Sequence, residues 1–177
     1  VEQFVPKRSR PTSGAEFVSS RHFPDAQQGD FMICNNIGFL GISMHDVWED
    51  GSGFSGKVAG DLLSSSDPNF RPVDLEFAPD GSLYFIDWHN ALIGHMQHNL
   101  RDPSRDHLHG RIYRVTAEGR DIQPVLKLDK ASTADVVAAL GSETLAERYR
   151  ARLELTGRNP GEVVAAVNDW VKQFDVK

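Results

Sequence analysis

Cysteines and long apolar stretches are what this sequence has least of. Among 177 residues there is a single cysteine, Cys34, so no disulfide can form within the chain. Its place in the apolar run 31–34, without a close basic neighbour, predicts a buried and unreactive thiol. No apolar run approaches the ~20 residues that a membrane-spanning helix needs, and no segment has the pattern of a signal peptide. We therefore expect no disulfide-stapled fold and no transmembrane segment.

Positive charge is also scarce. The 19 Lys and Arg residues are outnumbered by 25 Asp and Glu residues, which gives a net charge of −6. No basic stripe is present that could neutralise a phosphate backbone, so we expect no nucleic acid partner. The cluster of Lys7, Arg8 and Arg10 lies beside prolines and is interpreted as a solvated lead-in. The apolar content of 40% and the charged content of 25% are those of a folded protein.

What the sequence does contain is a repeated β pattern. In the clearer copy two apolar strands, at 73–78 and 83–88, flank the turn Pro79-Asp80-Gly81, and a third strand at 111–116 follows a long polar excursion. Repetition of such units is typical of β-propeller blades. The other copy has the same order of strands and turns, with strands predicted at 16–21, 30–34, 38–47 and 56–62.

After residue 116 one more strand is expected, at 122–126, and the pattern then changes to that of helices. Ser132 and Asp135 form a capping box that opens a first helix. Apolar spacing predicts a second helix over 142–155, with Gly157 as its stop. Asn159 and the proline after it predict the start of a third helix, which runs to residue 173.

The fold class that these patterns predict is mainly β: a partial β-propeller of about two blades, followed by a small C-terminal helical segment. The expected divisions are an irregular arm at 1–14, the partial propeller at 15–128 and a three-helix segment at 129–177. Propellers close with four to eight blades, and two blades alone would expose apolar faces and edges. We therefore expect the remainder of the propeller, or another polypeptide, to complete the ring. The alternative is a small α+β domain with an open sheet.

A resemblance to a known family rests on RHFPDAQQGDFMICNNIGFLGI at 21–42, GSGF at 51–54 and DPNFRPVDLEFAPDGSLYFIDWHNALIGHMQHNLRDPSRDHLHGRIYRV at 67–115. These segments resemble the dehydrogenase-like propeller of planctomycete-type membrane-bound dehydrogenases, over about residues 8–120. The family is remotely similar to soluble sugar dehydrogenases that use pyrroloquinoline quinone. The resemblance implies a periplasmic or otherwise extracytoplasmic location, pyrroloquinoline quinone and Ca as cofactors, and a cytochrome c-type electron acceptor. The chain departs from the family pattern in having no CxxCH, so no haem can be attached covalently to it.

Histidines are concentrated in the long connection before the strand at 111–116. Five of the seven lie between residues 89 and 109. His95 and His98 are three residues apart, so one side of a helical turn could bring both to a transition metal, and His107 and His109 could add a second pair. The alternative is that these histidines stack or form hydrogen bonds within the loop.

The same connection and the strand ends beside it carry the groups that an alcohol oxidation needs. His89, at the end of the strand at 83–88, is the candidate general base. Asn35 and Asn36 hold the matching position in the other copy and are expected to face the same cleft. An anionic cofactor such as a quinone carboxylate would be bound by nearby polar side chains, for which the candidates are Arg71, Asp74, Asn90, Arg101 and Arg105.

Each of these residues also has a structural interpretation. Arg71 can pair with Asp74, and His89 can bond to a loop carbonyl. Arg101 and Arg105 can form a ladder with Asp102 and Asp106 that pins the long loop to the rim of the propeller.

Three functions remain as alternatives. The first is an extracytoplasmic oxidoreductase that oxidises a sugar or related alcohol and passes electrons to a quinone and then to haem. The second is a non-catalytic propeller subunit or scaffold module of a multi-chain complex. The third is a metal-dependent hydrolase or lyase.

Overall fold

Two antiparallel sheets and three helices make up this computed structural model, which describes residues 10–93 and 102–174. Sheet A contains four strands in the order β1 to β4, and sheet B contains three in the order β5 to β7. The strands are β1 Arg10–Phe17, β2 Phe31–Ile37, β3 Gly41–Asp50, β4 Gly53–Ser64, β5 Pro72–Phe77, β6 Leu83–Asp87 and β7 Arg111–Val115. The helices are α1 Thr133–Ala138, α2 Leu145–Thr156 and α3 Pro160–Val171. The prediction of a mainly β fold with a helical C-terminal segment is therefore confirmed, while the described residues form no closed barrel or propeller.

The core lies between the two sheets. Alternate residues of each strand point to one face, so Met32 and Cys34 of β2 meet Leu75 and Phe85 of sheet B in one buried cluster. Cys34 is fully buried, as predicted, and burial raises the pKa of its thiol to about 12. The rest of the cluster consists of Val18, Phe23, Ile42, Met44, Phe70, Phe77 and Leu83. We call the sides of the sheets that point away from this core their far faces.

Gly14 lies where β1 of sheet A closely approaches β5 of sheet B. It lies in β1 within an irregularity of the β1–β2 pairing between Thr12 and Ala15. A Cβ atom at residue 14 would lie 2.6 Å from Cα of Asp74 and 2.9 Å from the carbonyl oxygen of Val73, both in β5. Only glycine allows this approach, so the residue decides how tightly sheet A packs on sheet B.

The Pro-Asp-Gly turn joins β5 to β6 as the sequence predicts. Gly81 has φ of 83°, and the amide of Ala78 donates to the carbonyl of Ser82 at 2.8 Å. Gly81 also accepts a hydrogen bond from Ser20 Oγ at 2.6 Å, which ties the hairpin to the loop after β1. The same loop carries the buried His22, whose Nδ1 donates to the Asp121 carbonyl and whose Nε2 accepts from the Ala117 amide.

The helical segment has the caps that the sequence indicates. The Ser132 side chain accepts from the amide of Asp135, and the Asn159 side chain accepts from the amides of Gly161 and Glu162. A second core of Leu128, Val136, Ala139 and Ala151 holds α1 and α2 together. None of the helices within the described ranges has the length and apolar character required to span a membrane.

Two strand predictions are wrong. The first predicted strand, 16–21, is replaced by β1, which begins at Arg10, ends at Phe17 and pairs with β2 from residue 10 onwards. It therefore starts within the stretch expected to be irregular. No strand forms at 122–126, because the amide of Gln123 donates to the Asp80 carbonyl in the β5–β6 hairpin and Pro124 has no amide hydrogen to offer a neighbouring strand.

Candidate functional site

A cleft of about 380 Å³ opens where the β2–β3 turn of sheet A meets the end of sheet B. Most of its walls are apolar, and its charged wall residue is Arg71, which directly precedes β5. The lining residues are Ile37, Gly38, Leu40, Pro68, Arg71, Ala91, Leu92 and Ile93.

Asp87, the last residue of β6, organises this end of sheet B. Its side chain is fully buried. One carboxylate oxygen accepts the backbone amides of Arg71 at 2.7 Å and His89 at 2.8 Å, and the other accepts Nε of Arg111 at 2.6 Å. Because one carboxylate fixes both amides, the approach to β5 and the exit from β6 hold a single geometry.

Arg111, at the start of β7, joins two carboxylates. Besides Asp87, it donates through Nη1 to Asp67 at 2.9 Å. Asp67 also accepts the amide of Asn69, and this bond together with the Arg111 bond lowers the pKa of the Asp67 carboxyl. Burial opposes the charge of Arg111, but the bonds to Asp67 and Asp87 outweigh it and raise the pKa of the guanidinium. Arg111 thus forms ion pairs with both carboxylates.

Within the described residues, no carboxylate bonds directly to the side chain of Arg71. Its side chain is only 8% exposed, and it donates to two carbonyls, through Nη1 to Phe70 at 3.1 Å and through Nη2 to Ala91 at 3.3 Å. Its Nε is buried without a hydrogen-bond partner. Burial lowers the pKa of the guanidinium, against the attraction of Asp87 and Asp67.

His89 follows β6 in a strained conformation. Its φ of 52° makes it the one residue other than glycine with positive φ in the part of the chain that the structure describes. The Asp87 carboxylate holds this conformation through the His89 amide. Nδ1 of the ring is buried without a partner, and Nε2 lies 3.9 Å from a carboxylate oxygen of Asp106. The expected alternative, a ring bonded to a loop carbonyl, is not seen among the described contacts.

The connection from residue 102 onwards is held by local bonds. Asp102 accepts the amide and hydroxyl of Ser104, and the hydroxyl bond, followed by the amide bond, lowers the pKa of its carboxyl. Asp106 accepts the amides of Leu108 and His109 and the His109 Nδ1, and the Leu108 bond contributes most to lowering its pKa.

Arg105 stacks on Trp88 instead of forming the expected ladder with the aspartates. Its Cζ atom lies 5.7 Å from the centroid of the indole ring, a cation–π contact. Its Nε is buried without a hydrogen-bond partner. The contact joins the long connection to the end of β6.

One oxygen of Asp87 accepts the backbone amides of Arg71 and His89, and Arg105 stacks on Trp88, the residue before His89. Of these three candidates, Arg71 is the one that lines the cleft in the described part of the chain. Asp74 lies on the far face of sheet B opposite Ile86, accepts the amide of Leu75 and forms no ion pair with Arg71 in the described part of the chain. Asn90 is buried, and its side chain accepts the amide of Leu92. Arg101, His95 and His98 lie outside the described residues.

The other polar candidates are also accounted for. His109 is exposed and bonded to Asp106, while His107 is exposed with no contact to it described. Asn35 donates to Ser43, and Asn36 donates to Ser13, and each has a buried side-chain oxygen without a partner. Neither asparagine lines the cleft beside Arg71.

The expected cofactors fit these residues poorly. Within residues 10–93 and 102–174 no group of three or more His, Cys, Asp or Glu side chains could hold a metal ion. The carboxylates of Asp67, Asp87 and Asp106 all accept bonds from donors within the chain. The cleft offers one guanidinium, whereas pyrroloquinoline quinone carries three carboxylates. We therefore derive no step of a reaction through this quinone or through calcium.

Sequence reasoning missed the central residues of the site, Asp87, Arg111 and Asp67. The available signal was the acidic residue at the last position of a predicted strand, since a carboxylate there can accept the amides of the chain that leaves the strand. Asp87 and Arg111 are 24 positions apart in the sequence, so their spacing does not predict that they pair.

Residues 3–119 match the model of the family described as "Domain of unknown function (DUF7133)". No curated protein and no solved structure matches the chain.

Proposed function

The chain belongs to this family of unknown function. From the resemblance described under Sequence analysis, together with the residues of the site, we propose that it is part of an extracytoplasmic propeller oxidoreductase that oxidises a sugar or alcohol. In this proposal sheets A and B are two neighbouring blades of a larger ring. Each sheet is an antiparallel meander of strands consecutive in sequence, and the two share one core, as packed blades would.

The observation that best supports the proposal is the strained backbone conformation of His89, with its φ of 52°. Strained residues persist only where the surroundings hold them, and they cluster at functional sites. The Asp87 carboxylate holds the backbone of His89, and Asp106 lies beside Nε2 of its ring. An imidazole at the end of a strand is a side chain suited to accept a proton from a substrate hydroxyl.

In the reaction that we propose, His89 removes the proton of the substrate hydroxyl while a carbon-bound hydrogen leaves with two electrons. The electrons would pass to a quinone and then to haem held by other parts of the complete protein or by a cytochrome c-type partner. Asp106 stabilises the imidazolium that forms, and Arg71 and Arg105 provide positive charge beside the substrate.

The test is oxidation by the complete protein. With a panel of sugars and alcohols and an artificial electron-accepting dye, we expect substrate-dependent dye reduction. His89→Gln is expected to lower kcat by roughly 100-fold or more, the usual contribution of a general base. Glu118→Gln, on the exposed turn after β7, is the matched control and is expected to leave kcat unchanged. Absence of dye reduction across the panel, or full activity of His89→Gln, would contradict the proposal.

A second function, a non-catalytic scaffold module, is favoured by one observation. Asp67, Asp87 and Asp106 all accept hydrogen bonds from donors of the chain itself, as in a site whose polar groups serve stability. This function predicts that His89→Gln changes no activity of the complete protein but weakens its assembly with a partner, which co-purification would reveal.

A further inference from the structure

Arg71 combines burial with unused hydrogen-bonding capacity. A guanidinium has five N–H donors, and two of its nitrogens donate here, to the carbonyls of Phe70 and Ala91. Nε is buried and donates to nothing. We propose that the cleft beside Arg71 binds a small ligand with a single carboxylate and an apolar body.

The charges around the cleft support an anion. The nearest carboxylates, those of Asp87 and Asp67, are bonded directly to Arg111. No carboxylate of the described residues forms an ion pair with the Arg71 guanidinium. Asp87 and Asp67 attract the charge of Arg71 without bonding to its guanidinium. A ligand carboxylate would supply the direct, charge-assisted hydrogen bonds that the guanidinium lacks.

The described walls of the cleft carry one charged group, the guanidinium of Arg71. Around Arg71 the cleft is lined by the side chains of Ile37, Leu40, Pro68, Leu92 and Ile93. A second carboxylate held against these walls would find no other charged donor among the described lining residues, and burial of an unpaired charge is unfavourable. The volume of about 380 Å³ lies at the small end of the usual range for ligand sites.

The site therefore differs from one for a quinone with three carboxylates. It lies at the same end of sheet B as His89, which is not among its lining residues. It rests on the geometry of Arg71 and does not require His89 to accept a proton. Loss of dye reduction would thus leave this inference standing, and failure to bind an anion would leave the oxidation testable.

The experiment compares two matched probes on the unaltered chain. Benzoate and benzamide have the same ring and nearly the same shape, and only benzoate is charged. In NMR titrations we expect benzoate to shift the Arg71 Nε resonance and the amides of Gly38 and Ala91, with at least tenfold stronger binding than benzamide. Equal binding of the two probes, or benzoate shifts confined to other regions, would overturn the proposal.

Two further probes fix the class of anion. Inorganic phosphate and pyrroloquinoline quinone are titrated in the same way, and both are expected to bind more weakly than benzoate. Tighter binding of phosphate would show that the cleft prefers a phosphate group and would overturn the assignment to a carboxylate. Tighter binding of the quinone, with shifts of the same amides, would overturn the assignment to a ligand with a single carboxylate.

Substitution of Arg71 provides the second line of evidence. Arg71→Lys keeps the charge but loses the planar donor edge, and we expect at least tenfold weaker benzoate binding. Arg71→Leu is expected to abolish the preference for benzoate over benzamide. A folded Arg71→Leu protein that still prefers benzoate would overturn the assignment to Arg71, and the probe comparison on the unaltered chain decides if neither variant folds.

Discussion

Among single residues, Asp87 has the largest effect on the site. Its buried carboxylate accepts the amides of Arg71 and His89 and the Nε of Arg111. Removing one partner of a buried charged pair leaves the other charge uncompensated. The position of His89 and Arg71 therefore depends on a residue that need not touch a ligand.

Asp87→Asn is expected to lower the free energy of unfolding by about 2 kcal/mol, the scale of leaving a buried hydrogen-bonding group without its partner, since Arg111 keeps its bond to Asp67. The amide side chain keeps one acceptor oxygen, so either the two backbone amides or Arg111 lose their partner. Urea unfolding measures the change. The control is Asp25→Asn, whose carboxylate is 95% exposed beside Arg120, and a change no larger than that of the control would contradict the assigned role.

Glu16 gives a prediction for the pH dependence of stability. Partial burial in β1, with Glu76 and Asp74 nearby, raises the pKa of the Glu16 carboxyl, against a hydrogen bond from the Phe17 amide. The folded protein thus holds this proton more tightly than the unfolded chain, so stability is lost as the pH rises through the window between the two pKa values.

Glu16→Gln, which keeps an acceptor for Phe17, is expected to raise the melting temperature at neutral pH. The advantage should vanish in acid, where the carboxyl is protonated in both states. Calorimetry over a pH series measures it, with the exposed Glu118→Gln as control. A Glu16→Gln protein that is less stable than the parent at neutral pH would show that the charge is favourable where it lies.

Only some residues of the candidate site could be identified from the sequence. His89 was identifiable because a polar residue at a strand end meets the connection that follows it. Asp74 was misplaced, because strand alternation turns residue 74 to the far face once Leu75 enters the core. The isolation of Arg71 from carboxylates depends on Arg111 binding both acids, which is a tertiary arrangement that spacing does not encode.

Most of the strands and helices could be predicted from the sequence. The spacing of apolar residues and the residue types in the turns determine them locally. The β5–β6 hairpin follows from Pro79-Asp80-Gly81, and the helix starts follow from Ser132 and Asn159. The error at β1 has a tertiary cause: residues 10–17 contain a proline and a glycine and lack a strand pattern, yet pairing with β2 makes them a strand.

The packing of sheet A on sheet B can be tested at Gly14. Gly14→Ala is expected to cost about 2 kcal/mol, since the new Cβ would overlap the backbone of β5 and overpacking of this kind costs 1–3 kcal/mol. Chemical denaturation measures the loss. Gly53→Ala in β4 is the control, because its nearest atom lies 3.9 Å away, and equal stability of the two variants would contradict the close approach.

Considered as a whole, the molecule leaves apolar surface on the far faces of both sheets. Phe54 on sheet A is 70% exposed and Ile112 on sheet B is 73% exposed, with Phe17, Val58 and Ile86 also exposed on these faces. Exposed apolar patches of this kind mark interaction surfaces. They agree with the proposal that further sheets of a ring pack on both sides.

A structure of the complete protein tests that proposal most directly. We expect sheets A and B to be neighbours in a ring of four to eight sheets, each far face covered by another sheet about 10 Å away, with Arg71 and His89 at the mouth of the central channel. Far faces open to solvent at Phe54 and Ile112, or Arg71 and His89 on the outer rim, would contradict the account.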